Sequence, residues 1–147
     1  VVGLTTTTQG VFSVRQSFDD DFSEQYTNGT GALQAQSAGS SSGGATTGGT
    51  TLDLTAFPSG LTSTINFAAV KVVKIANTST TGNLIVGGAG ANPWTAAWSG
   101  TVTILPGGFY MTADPGATGY AVAGGSKYIL ITASAGTVNY TILVLGE

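Results

Sequence analysis

Histidine and cysteine are both absent from this 147-residue chain, which carries only four basic and seven acidic residues. Catalysis therefore has few side chains to draw on. A nucleophilic Ser or Thr needs a base to take its proton, and here a lysine would have to serve. Ser126 directly precedes Lys127, and neighbours on a strand point to opposite faces, so the pair is no dyad. A glycosidase needs two carboxylates about 5–9.5 Å apart. Asp53 and Asp114 are the only acids within the run of predicted strands. Asp114-Pro115-Gly116 has the form of a turn, where Asp serves local hydrogen bonding, and Asp53 is expected to pair with a lysine. The expectation is that the chain is not an enzyme.

Metal and cofactor chemistry is similarly restricted. Without cysteine, disulfides and thiolate metal sites are excluded, and without histidine zinc and copper lose their usual ligands. Asp19-Asp20-Asp21 could offer oxygens to calcium, but consecutive acids lack the alternating spacing of an EF-hand loop. Gly87-Gly88-Ala89-Gly90 has no GK[ST] ending and opens no helix, so it is expected to be a loop tip. No cofactor and no metal are expected. The sequons at Asn28, Asn77 and Asn139 are what chance produces in a chain with 24 threonines.

Trp94 and Trp98 lie four residues apart in the longest predicted loop. Exposed Trp pairs stack on sugar rings or form interface hot spots; they can equally cap the end of a sandwich. Burial or subunit contact is favoured here over sugar binding.

The elements that must position these residues are strands. Thr, Val, Ile and Tyr favour strands, and the 23 glycines mark turns. The runs Thr51–Ala56, Thr64–Ala76, Asn83–Val86, Thr101–Leu105, Phe109–Ala113, Tyr120–Ala123, Lys127–Ala133 and Thr137–Leu145 are separated by Gly, Pro and Asn. Short strands at this spacing predict an all-β fold, a small jelly-roll-like antiparallel β-sandwich over residues 51–147. An immunoglobulin-like sandwich fits nearly as well, without its Cys…Trp…Cys marks. Residues 37–50 are Gly/Ser/Thr-rich and predict a flexible linker. Residues 1–36 form an N-terminal arm. There Phe18, Phe22 and Tyr26 share one helical face, and Ser17 with Asp20 resembles a capping box. A short helix is expected, ended by Thr27-Asn28-Gly29. It would either pack on its own sandwich or dock on a partner.

Val70–Ile75 breaks strict alternation, with Val70, Val72 and Lys74 on one face and Lys71, Val73 and Ile75 on the other. Strands apolar on both faces are covered on both sides. The second face needs the arm or another subunit, unless the strand is central beside a loop or carries a bulge near Ala69. Lys71, Val73, Ile75, Trp94 and Trp98 are therefore candidates for a subunit interface.

Charged residues make up 7% of the chain, against about 25% in a typical soluble domain. Four of the seven acids crowd into residues 19–24, while residues 51–147 balance three acids with three bases. There is no basic footprint for nucleic acid, and no apolar run reaches the ~18–20 residues of a membrane span. The first residues show no secretory signal pattern. A neutral surface of this kind suits one piece of a larger assembly.

The segments Val70–Gly87 (VKVVKIANTSTTGNLIVG), Leu105–Gly108 (LPGG), Ala113–Val122 (ADPGATGYAV) and Val138–Gly146 (VNYTILVLG) resemble those of small tailed-bacteriophage capsid decoration, or cement, proteins. The likeness spans about residues 65–147 and leaves residues 1–50 outside. It implies a structural virion protein that stabilises a capsid from its outer surface. It also implies a homotrimer whose second partner is the major capsid protein. Phe18, Phe22 and Tyr26 would be the capsid contacts. The alternative is a head-fibre or tail-fibre domain binding a host glycan through Trp94, Trp98 and Tyr120.

Overall fold

In a computed structural model the described residues are 2–6, 12–16, 26–59 and 63–147. An antiparallel ribbon of β1 (Val2–Thr6) and β2 (Phe12–Gln16) comes first. Two antiparallel sheets then form a sandwich. The first has the order β10 (Phe109–Ala113), β7 (Ala69–Asn77), β13 (Thr137–Gly146), β3 (Ser37–Thr46), with β11 (Tyr120–Ala121) also on β7. The second has the order β4 (Thr50–Asp53), β12 (Tyr128–Ala133), β8 (Leu84–Gly87), β9 (Thr101–Ile104). A small ribbon pairs β5 (Phe57–Pro58) with β6 (Thr64–Ile65).

Alternation decides which side chains enter the core. Along β13, Val138, Tyr140, Ile142 and Val144 are buried while Thr137, Asn139, Thr141 and Leu143 are exposed. β12 buries Ile129, Ile131 and Ala133 in the same period-two pattern. These residues meet Val73 and Ile75 of β7, Leu84 and Val86 of β8, and Ile104 of β9 in one cluster. Asn77 is a buried polar exception, and it is satisfied. Its Nδ2 donates to the carbonyls of Gly82 and Ile104, and its Oδ1 accepts from the Ser79 amide. That fixes the turn between β7 and β8.

Three expectations are corrected. Residues 37–46 are a strand, not a linker. β3 pairs with β13 in unbroken register from Ser37↔Gly146 to Thr46↔Thr137. Its small residues are a packing requirement as well as a composition: a Cβ on Gly39 would lie 2.6 Å from Phe57 Cδ1. The arm boundary also moves. Residues 27–36 are tied to the sandwich, because the Leu33 amide donates to Pro115 O and the Gln36 amide to Gly146 O, each at 2.9 Å. The predicted helix finds no support at its described end, where Tyr26 is non-helical and Thr27 bridges to Gln34. Phe18 and Phe22 lie outside the described residues.

The third correction concerns Lys71, Val73 and Ile75. All three are fully buried within one chain, so they offer nothing to a second subunit. The register explains the broken alternation. Leu145 faces Val72 but Gly146 faces Val70, so Lys71 is the extra residue of a bulge. The bulge lets Val70 join Val73 and Ile75 in the core and turns Lys71 to the opposite side. There a loop covers it, and Nζ donates to the carbonyls of Gly116 and Ala117 with Glu147 Oε1 3.7 Å away. Both intramolecular explanations, a central strand beside a loop and a bulge, apply.

Candidate functional site

The residues with catalytic potential are placed apart. Asp53 is on β4 and Asp114 follows β10, at diagonally opposite edges of the sandwich. Asp114 Oδ1 accepts from the Gly116 amide, closing a local turn. Asp53 caps the 3-10 turn Leu54–Ala56 by accepting from the Thr55 amide and hydroxyl, and it pairs with Lys127 Nζ at 2.9 Å. Ser126 Oγ donates to Pro93 O instead of meeting Lys127.

Burial alone would raise the Asp53 carboxyl, but hydrogen bonds from Thr55 and Lys127 outweigh it and hold it below its ordinary value of 3.8. The bond to Asp53 raises Lys127 above its ordinary 10.5. A depressed carboxyl contributes stability above its unfolded pKa and loses it as pH falls through the folded one; a raised amine loses its contribution as pH rises through the folded value. Wild type is therefore expected to melt above Asp53→Asn at neutral pH. That gap should close below pH 3.8 and narrow again above 10.5. A gap that stays constant across melting curves at these pH values would show that the pair is not the cause.

Trp94 and Trp98 are not surface residues. The backbone at 92–94 is anchored to the start of β12: Asn92 O accepts from the amides of Lys127 and Tyr128, and the Trp94 amide donates to Tyr128 O. This turns Trp94 inward, where its indole N–H reaches Ala121 O at 2.9 Å. Edge-on contacts run Tyr120–Trp94–Trp98–Tyr110, with centroids 6.2, 5.1 and 5.8 Å apart. Only 1% of Trp94 and 8% of Trp98 is exposed. They cap the end of the core and contribute neither to a subunit interface nor to a sugar platform. The Tyr120 hydroxyl is also engaged, with Thr112 Oγ1 and Ala113 O.

The surface that stands out is the outer face of the first sheet. Strand register places Ser40, Leu143, Lys74 and Met111 in one row across β3, β13, β7 and β10. The next row is Ser42, Thr141, Ala76 and Phe109. Phe109 is 65% exposed, Met111 53% and Leu143 42%. Leu105, in the turn that leads into β10, is exposed as well. Lys74 Nζ sits 5.2 Å from the Phe109 ring centroid, a cation–π distance. A shallow groove of about 570 Å³ runs between Ser40, Ser42, Lys74, Ala76, Thr141 and Leu143. Lys74 is the one charged side chain in these two rows. Its Nζ sits by the Phe109 ring on β10, on the opposite side of β7 from β3 and Ser40. The face can bind by apolar and hydroxyl contact. Sequence reasoning passed over these residues because Phe109–Ala113 is apolar or neutral at every position, so alternation does not reveal which face is outside.

No protein-family model, curated protein or solved structure matches the chain.

Proposed function

We propose that this chain is a structural virion protein that decorates and stabilises a bacteriophage capsid, as a homotrimer on its outer surface. The observation that carries the reading is the outer face of the first sheet. Three large apolar side chains, Phe109, Met111 and Leu143, stand exposed there with a single lysine in their midst. Contiguous exposed apolar surface on a soluble protein marks an interaction site. The face is broad and almost uncharged, as docking on a protein shell requires, and it replaces the buried Lys71, Val73, Ile75, Trp94 and Trp98 as the contact surface.

The chain's alternation between sheets supports the jelly-roll form of the sandwich. β3, β7, β10 and β13 lie in one sheet and β4, β8, β9 and β12 in the other, with β13 beside β3 and β12 beside β4. The resemblance of residues 65–147 to decoration proteins supports the shell as partner. Binding only the assembled shell would stabilise it by mass action, and many copies would add avidity.

The test is whether the full chain is found on purified particles, and in what number. A copy number comparable to that of the major capsid protein, with particles more easily disrupted in its absence, is the expected result. Absence from particles, or a few copies at one vertex, would rule the reading out.

A further inference from the structure

A sheet edge is a row of unpaired N–H and C=O groups, and natural proteins shorten such edges or guard them with charges, Pro or bulges. Three of the four edges of this sandwich follow that rule. β4 and β9 are four residues long and β10 is five. β3 departs from it. It runs for ten residues with the sequence SAGSSSGGAT, without charge or proline. Its register with β13 is unbroken, so it has no bulge. Among the described residues, no strand pairs with its other side.

The same molecule contains a second incomplete element. β1 and β2 pair over five residues, Val2↔Gln16 to Thr6↔Phe12. Among the described residues they pair with no other strand and make no comparable contact with either sheet. An isolated two-stranded ribbon is marginal in water; it needs a third strand or a packing surface. A long unguarded edge and a ribbon without a sheet complement each other. Strand addition satisfies both by main-chain hydrogen bonds, which need no side-chain code.

From this we infer that the β1–β2 ribbon of one copy adds to the β3 edge of a second copy. Each copy gives a ribbon and receives one, so two copies can exchange ribbons reciprocally, and larger sets close into a ring or run on as a chain. Closure at three gives the homotrimer of the proposed function. The inference does not rest on that proposal, since strand exchange between copies requires no shell.

The absence of native cysteine makes the test clean. Ser42→Cys marks β3, on a residue exposed at the sheet's outer face. Thr5→Cys, Thr6→Cys, Ser13→Cys and Val14→Cys mark both strands of the ribbon. Two neighbouring positions are used on each strand so that the result does not depend on which face either one occupies. Each ribbon variant is mixed with Ser42→Cys full-length chain and oxidised mildly. A disulfide between two different single-cysteine chains can only be intermolecular. The expected product is a mixed species of twice the 14.6 kDa chain mass, from at least one ribbon position, well above that formed with Ser99→Cys as an exposed control. Mixed product no greater than the control overturns the inference. So does Ser42→Cys linking chiefly to itself, which means that β3 edges pair with each other. So does a double variant that closes within one chain while the mixture stays unlinked, which means that the ribbon folds back on its own β3. Particle binding without the mixed disulfide removes only this inference; the mixed disulfide without particle binding removes only the capsid reading.

Discussion

Trp94→Ala is expected to lower folding stability by about 4 kcal/mol, the usual cost of emptying a fully buried aromatic site. Domains of this kind hold only about 5–15 kcal/mol in total, so a large share of the fold is at stake. The indole N–H donates to Ala121 O, and the ring has two edge-on aromatic neighbours, Trp98 and Tyr120. Its removal opens a cavity and leaves a carbonyl without its donor. Trp98 provides the internal comparison. Its indole N–H is buried with no partner among the described residues. Trp94→Phe gives up a hydrogen bond, whereas Trp98→Phe gives up an unsatisfied donor. Urea denaturation should place Trp94→Phe about 1 kcal/mol below Trp98→Phe. Equal midpoints for the two would mean that the bond to Ala121 O contributes nothing net, and a Trp94→Ala midpoint at the wild-type value would mean that the cluster does not cap the core. Loss of host adsorption on Trp94→Ala would accordingly report unfolding and not a sugar site.

Much of the sandwich was legible because several of its strands bury one face and leave the other more exposed. β12 and β13 display that alternation plainly, and the turns at Pro106-Gly107-Gly108 and Ser134-Ala135-Gly136 separate strands where the sequence predicts. β3 was illegible for a physical reason. Its inward positions are small because Phe57 lies beneath Gly39, and its outward positions, Ala38, Ser40, Ser42, Gly44 and Thr46, are small as well. Hydrophobic periodicity, the main signal of a strand, is therefore missing, and an edge strand of small residues has a linker's composition. Pairing with β13 makes it a strand. The Val70–Ile75 reading stopped at two faces for a related reason. A one-residue bulge shifts which side chains enter the core, and that shift depends on Leu145 and Gly146, some seventy residues away. The Trp pair shows a third limit. Four-residue spacing in a loop does not distinguish an exposed platform from a buried cap, because the direction is set by Asn92 and Tyr128.

The outer sheet face should behave in the opposite way to Trp94. The double variant Phe109→Ser with Met111→Ser removes two side chains that are more than half exposed and leaves their strand positions on β10 intact. Exposed substitutions away from buried networks usually change stability by no more than about 0.5 kcal/mol. Within the chain the variant also gives up the stacking of Lys74 on the Phe109 ring, worth about 0.5–1 kcal/mol at an exposed site. The melting temperature should therefore stay within a few degrees of wild type. Binding is a different matter. If this face docks on a protein surface, two anchoring side chains contribute about 3 kcal/mol between them, so affinity for particles should fall roughly 100-fold. Leu143→Ser, in the same row as Met111, should weaken binding in the same direction. Asn139→Ser, one row beyond Thr141 on β13, should not. The pairing of intact fold with lost binding is what assigns the face a role. Unchanged particle binding by the double variant would move the docking surface off the first sheet, and a large loss of stability would mean that Phe109 and Met111 serve the fold after all.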